Sequence, residues 1–282
     1  MRDGARMVLG IVIISSGCVR TGAVGRYARA AGETAGEFPK VAEEMRASCV
    51  RLEGYREARE GKGWFERKDL EGRCADRAKA VRRAVTAERA LASYFAALGA
   101  LADDKVVKYD RPVDDLADAL EEDAGLDEEK VRAVSDLASF AASVATDGYR
   151  HLKLAKIIEE QNGNVGVVID ALTEIVGTDY ANILELESTG MESFYRSALA
   201  EGAEREPLAA ILVRDTRDER AEALREKRTA LAAYVKALGA MKAGHQRLYD
   251  SRRDLHAKAL AGELAGYATQ LEKMIPALRE AF

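Results

Sequence analysis

The sequence predicts an all-α protein, an elongated bundle of long antiparallel helices. Apolar residues recur at three- and four-residue spacings, no stretch shows sustained alternation, and only 4 prolines interrupt the 282 residues. Three-and-four spacing places apolar side chains on one face of a helix, whereas alternation would indicate a strand. Because only 6% of the residues are aromatic, we expect a core built mainly of Ala, Leu and Val.

The helix boundaries follow from proline and glycine signals. Pro39 marks a break in the first helix, whereas Pro112 and Pro207 suit the first turn of a helix. Asn162-Gly163-Asn164 reads as a stop signal, and Pro276 predicts a bend in the last helix. The predicted helices span about 23–58, 69–103, 112–122, 127–162, 165–201, 207–250 and 254–281.

Two segments of the chain resemble each other. Residues 90–120 align without gaps with residues 230–260, an offset of 140, and 14 of the 31 aligned positions are identical. The same offset aligns Tyr55-Arg56 with Tyr195-Arg196. The pattern predicts two related helical halves, about 23–122 and 163–262. Alanine-rich helices also align by chance, so unrelated halves are the alternative.

The first 18 residues have the features of an export signal. Arg2 and Arg6 precede an apolar run from Met7 to Ile14, and small residues lead to Cys18. A run of eight residues forms about 12 Å of helix, too short for a bilayer core of roughly 30 Å, but it suits a signal peptide.

The segment Ile14-Ser15-Ser16-Gly17-Cys18 resembles a bacterial lipobox, although Ser15 stands where Leu is usual. The resemblance implies that residues 1–17 are a signal peptide and that Cys18 is lipidated, which would tether residues 18–282 to a membrane. Val19 favours the outer membrane, facing the periplasm, over retention at the inner membrane. A non-lipidated secretory signal and a buried N-terminal helix are the alternatives.

Cys49 and Cys74 are the cysteines that remain after Cys18. They flank a turn near residues 59–68, so antiparallel helices would bring them to similar heights across a hairpin. In an oxidising compartment this predicts a disulfide, and two buried free thiols are the alternative.

The turn itself is the most unusual surface segment. It contains the single Trp of the sequence, and Trp64 and Phe65 lie among the basic residues Lys62, Arg67 and Lys68. One hypothesis is contact with a membrane interface or a partner protein. The other is that both rings fold back beneath the helix that begins near Asp69.

A polar segment from Arg214 to Arg220 interrupts the buried face of the helix predicted over 207–250. We interpret it as a solvated face. The alternative is a segment that projects beyond the bundle or binds charged surfaces.

Composition and motifs restrict the function. The 43 basic and 48 acidic residues are interleaved, without the basic patch that nucleic-acid binding requires. The three histidines belong to no metal or nucleophile motif, and no cofactor is expected. We therefore expect a non-enzymatic, lipid-anchored envelope protein that acts as a structural or protein-binding module. A binding protein for an apolar or lipid ligand held between helices is the alternative.

Overall fold

A computed structural model describes residues 21–59, 67–103, 128–147 and 154–282, except the side chains of residues 67, 68, 145–147 and 201. Across these ranges the protein is an all-α helical bundle without β-strands, as the sequence predicts. The predicted helix at 112–122 lies outside the described residues.

The described helices follow the apolar periodicity of the sequence. The longest of them begins with Pro207 in its first turn, where the missing amide hydrogen has no cost. Its 44 residues correspond to a length of about 66 Å. In chain order the elements are α1 (Gly22–Ala35), α2 (Phe38–Arg59), α3 (Arg67–Arg73), α4 (Ala75–Ala102), α5 (Glu128–Asp147), α6 (Leu154–Glu174), a π-helical segment (Ile175–Tyr180), α7 (Ala181–Gly202), α8 (Pro207–Asp250) and α9 (Lys258–Ala281).

Helix α8 is the spine of the bundle, and two arms lie along it, each antiparallel to α8. The first arm consists of α1 and α2, and its contacts run from Tyr27 on Met241, through Phe38 on Tyr234, to Tyr55 on Arg220. The second arm consists of α6, the π-helical segment and α7. Its contacts run from Asn162 on His245, through Asp170 on Lys242, to Leu184 on Arg228.

The two arms therefore run parallel to each other. Where they meet, α2 contacts α7 through Ser48 with Glu187 and Tyr55 with Tyr195. The two residues of each pair are separated in sequence by 139 or 140 positions, which is within one residue of the repeat offset of 140. At these two points α2 lies beside its counterpart in the proposed repeat, since Tyr55 contacts Tyr195 and Ser48 contacts Glu187, the neighbour of Ser188.

The remaining contacts also occur in corresponding pairs. At the offset of 140, α1 corresponds to α6, α4 to α8 and α5 to α9. Helix α1 packs on α4, and likewise α6 packs on α8. Helix α4 packs on α5, and likewise α8 packs on α9. Helix α1 contacts α9, and α6 contacts α5. The first arm breaks at Gly36, and the second arm becomes π-helical at the matching positions, 175–180. Common ancestry of the halves stays a prediction, with which these contacts are compatible.

Several predicted boundaries were wrong. The helix expected to end at Asn162-Gly163-Asn164 continues through these residues. The asparagine side chains here bind other helices, because Asn162 donates to Gln246 and Asn164 donates to Asp136. These tertiary hydrogen bonds outweigh the local preference of the triplet for a helix end.

Other boundaries differ by a few residues. The break predicted near Pro39 lies at Gly36, and Pro39 falls in the first turn of α2. The helix predicted over 69–103 divides at Cys74, and the last helix begins at Lys258 instead of 254. Pro276 lies within α9, which continues to Ala281.

Helices α1 and α8 approach closely at Gly244. A β-carbon at this position would lie 2.7 Å from Cζ of Tyr27. The Tyr27 ring is fully buried, and its hydroxyl donates to the carbonyl of Met241, so it has no space to move aside. In contrast, a β-carbon at Gly239 of the same helix would meet nothing within 4 Å.

We therefore expect Gly244→Ala to lower the free energy of unfolding by about 1–3 kcal/mol, as overpacking does in other cores. The matched variant Gly239→Ala should raise it by up to about 1 kcal/mol, because alanine favours helix. Urea denaturation of both variants provides the measurement. Equal effects of the two substitutions would contradict the close approach of Tyr27.

Candidate functional site

The structure joins Cys49 and Cys74 by a disulfide, which confirms the pairing predicted from the sequence. Both residues are buried with Val50 in a small core separate from the main one, and the partly buried Leu70 packs against it. Their Cα atoms are 6.2 Å apart, so α2 and the start of α4 are cross-linked near one end of the bundle. Cys49 is in α2, which also contacts the second arm.

The other sequence-predicted site residues cannot be placed. Cys18, Lys62, Trp64 and Phe65 lie outside the described residues, and the side chains of Arg67 and Lys68 are not described. Lipidation and contact of this turn with a membrane or a partner therefore stay predictions.

A cluster of charged residues connects both arms to the spine. The Glu187 carboxylate of α7 is buried, and it accepts hydrogen bonds from Ser48 and Arg51 of α2. Arg51 also donates to Glu44, which pairs with Lys227 of α8. Two carboxylates and two cations thus compensate one another at the contact of three helices. Removing one member would leave a partly buried charge without its partner, which is costly.

A chain of hydrogen bonds crosses the C-terminal end of α8. The hydroxyl of Tyr94 lies 2.7 Å from Nε2 of His245, and Nδ1 of His245 lies 3.0 Å from Oδ1 of Asn162. Asn162 donates to Gln246 at 3.1 Å, and Gln246 donates to Asp250 at 2.9 Å. The chain begins at a fully buried ring and ends at an exposed carboxylate.

The directions of these hydrogen bonds determine which ring nitrogen of His245 carries the proton. Asn162 uses its amide nitrogen for Gln246, so its oxygen accepts from Nδ1–H of His245. Nε2 of His245 therefore carries no proton and accepts from Tyr94. Burial lowers the pKa of His245 to about 3, which keeps the ring neutral.

This arrangement orients a histidine, as many catalytic sites do, but His245 is only 1% exposed. The rings of Tyr94 and Phe95 pack against it, with centroids at 5.5 Å and 6.1 Å. A group without access to a substrate cannot act as its general base. The hydrogen-bond chain instead connects α4, α6 and α8 in one register.

Glu88 of α4 is a second buried titratable group. Its Oε2 and the hydroxyl of Tyr234 have no hydrogen-bond partner in the described part of the chain. Burial raises the pKa of Glu88 to about 8, against the smaller opposite effect of Arg89. Burial, followed by the charge of Glu88, raises the pKa of Tyr234. We therefore expect Glu88 to be largely protonated in the folded protein at neutral pH.

The surface of α8 carries an apolar patch near its start. The side chains of Leu208, Ile211 and Leu212 are 79%, 51% and 68% exposed, whereas most other large apolar residues of the described chain are covered. This patch was not predicted from the sequence, because the apolar spacing that predicts a helix identifies its buried face. The available signal was the three- and four-residue spacing of Ile211 and Leu212 from Leu208.

Acidic residues continue the same face of α8. From Leu208, steps of four and three residues lead through Leu212 to four further positions, and all six residues are exposed. Because such steps stay on one side of a helix, these residues form one line along α8. We call Leu208, Leu212, Asp215, Glu219, Glu222 and Glu226, with the adjoining Ile211, the outward stripe.

One recess of the described chain lies between α4, α5 and α6, where residues such as Ala84, Val134 and Leu172 line it. Its volume is about 10 Å³, enough for about one water molecule. In the described ranges, no group of three or more His, Cys, Asp or Glu residues could hold a metal ion. None of the helices described has the length and apolarity needed to span a membrane.

In comparisons with known proteins, no family model, curated protein or solved structure matches this chain.

His245 and Glu88 should give the stability of the fold opposite dependences on pH. The unfolded chain protonates His245 below its ordinary pKa of 6.5, whereas the folded chain does not until about pH 3, so stability falls as the pH falls through this window. The folded chain retains the Glu88 proton up to about pH 8, whereas the unfolded chain releases it above 4.5. Stability therefore falls as the pH rises through that window. Between about 4.5 and 6.5 the two effects oppose each other.

We predict that Glu88→Gln makes the free energy of unfolding rise with pH between about 5 and 6.5, by up to about 1.4 kcal/mol per pH unit. His245→Gln should give the opposite slope, at a stability reduced by about 1–3 kcal/mol through its lost hydrogen bonds. Urea denaturation at several pH values measures both slopes. The exposed His256 provides the control, and His256→Gln should leave the slope of the parent protein unchanged. If the free energy of unfolding depended on pH in the same way in the parent protein and all three variants, the buried positions of His245 and Glu88 would be contradicted.

Proposed function

We propose that this chain is a lipid-anchored, non-catalytic helical module of the bacterial cell envelope, and that it binds a partner protein through the outward stripe of α8. The observation that carries the proposal is the exposure of Leu208, Ile211 and Leu212. Contiguous apolar surface of this kind is typical of interaction sites in proteins that otherwise bury their large side chains.

The position of the stripe suits a tethered protein. The arm that begins at Gly22 reaches α8 first near Gly244 and His245, since Tyr27 packs there. Leu208 lies 37 residues before His245 along the same helix, which corresponds to about 55 Å. A tether at Cys18, four residues before α1, would therefore hold the stripe far from the attached end of the bundle.

Two further features support an envelope location. The first residues resemble a lipoprotein signal, as described above. The Cys49–Cys74 disulfide is a bond that persists in oxidising compartments and is rare in the cytosol. A function in holding an apolar ligand between the helices receives no support from the small recess beside α4.

The tether has a direct test. Cells that express the protein and are fed an alkyne-labelled palmitate should incorporate the label, and Cys18→Ser should abolish both the labelling and the association with membranes. The double variant Cys49→Ser, Cys74→Ser serves as the control and should stay labelled. If the protein carried no label and retained residues 1–17, the proposed lipid anchor and envelope location would be rejected.

The binding surface can be tested in cells with a photo-crosslinking amino acid. At position 208 we expect one predominant crosslinked protein, and Leu212→Ser in the same chain should reduce this crosslink at least about tenfold. Leu186 of α7 offers a matched control, because it is also a leucine and is 44% exposed. The same probe at position 186 should not capture that protein. Equal capture at both positions, or no effect of Leu212→Ser, would reject the surface.

A further inference from the structure

The outward stripe has two chemically different ends. Its first turns present Leu208, Ile211 and Leu212, and its later turns present only carboxylates on the same line. The acidic positions are Asp215, Glu219, Glu222 and Glu226. The change from apolar to acidic occurs within one helical turn, so a partner that covers the whole stripe must match both parts.

Most of these carboxylates are available to a partner. Asp215, Glu219 and Glu226 are exposed, and they form no ion pair with other residues in the described part of the chain. Glu222 pairs with Arg225 at 2.5 Å, but both side chains are more than half exposed, so this pair contributes little and exchanges readily.

From this pattern we infer that the partner is an amphipathic helix with apolar residues at one end and lysines or arginines at the other. The inference rests on the proposed binding function and adds the chemistry of the partner. A stripe with 4–3 spacing over 19 residues is about 27 Å long, and it matches a single helix with the same spacing. Apolar contacts would supply most of the affinity, and the opposite charges would fix orientation and specificity.

Two other occupants fit the stripe less well. An anionic membrane surface would repel its four carboxylates. A second copy of α8 would bring like charges together in a parallel pair. In an antiparallel pair it would bury Glu222 and Glu226 against leucines, which is unfavourable for unpaired charges.

The test uses the full chain and two synthetic helical peptides labelled with fluorescein. Both peptides carry leucines at 4–3 spacing in one half, and the other half carries lysines in the first peptide and glutamates in the second. We expect the lysine peptide to bind at least about tenfold more tightly, and its affinity to fall with rising salt concentration. Equal binding of the two peptides would overturn the inference.

Charge reversal provides the decisive variant. Asp215, Glu219 and Glu222 changed together to Lys should weaken binding of the lysine peptide at least about fivefold and strengthen that of the glutamate peptide. In a control variant with the same change in net charge, the exposed residues Glu43, Glu160 and Glu280 are changed to Lys. This control should leave the affinities for both peptides unchanged. A similar loss in the control would show nonspecific attraction and overturn the inference. Circular dichroism of each variant verifies that the helices remain folded.

The same variants in cells separate this inference from the function on which it rests. If Leu212→Ser abolishes the crosslink at position 208 but charge reversal does not change it, the binding surface stands and the basic partner is rejected. If neither Leu212→Ser nor the charge reversal affects the crosslink, both the binding surface and the basic partner are rejected. Crosslinks from position 208 to the Trp64 segment of the same chain, a dimer in sedimentation, or binding to anionic vesicles would each assign the stripe another occupant and overturn the inference.

Discussion

The fixed register of α8 against the two arms is the constraint on which the rest of the structure depends. The buried faces of these helices consist largely of alanine, leucine and valine, and small apolar residues tolerate sliding of one helix along another. Polar side chains do not, because each buried donor or acceptor must meet its partner. The chain from Tyr94 to Asp250 fixes one end of α8, and the cluster of Glu44, Arg51, Glu187 and Lys227 fixes the middle.

Close packing and polar contacts reinforce each other at these points. Gly244 lets the Tyr27 ring approach α8, and the hydroxyl of that ring then reaches the carbonyl of Met241. A shift of α8 by one residue would break this bond and place a side chain against the ring. The same register decides which face of α8 points outward, and therefore where Leu208 and Leu212 are presented.

The two halves share their helix pairing but differ in their polar contacts. Tyr94 and Tyr234 correspond at the offset of 140, and both are fully buried. The hydroxyl of Tyr94 meets His245, whereas that of Tyr234 lies near Glu88 without a hydrogen bond to another described residue. The disulfide likewise occurs in the first half, because Thr189 and Arg214 stand at the positions that match Cys49 and Cys74. The outward stripe also belongs to the second half.

The sequence by itself determined the helical class, the start and end of α8, and the pairing of Cys49 with Cys74, because apolar spacing, Pro207 and cysteine positions are local signals. It also contained the leucines of the outward stripe, but exposure is not local and depends on which face the arms cover. Only the tertiary structure decided that the helix continues through Asn162-Gly163-Asn164, since the partners of these side chains are on other helices. The same holds for His245, whose neutral state follows from burial between helices distant in sequence.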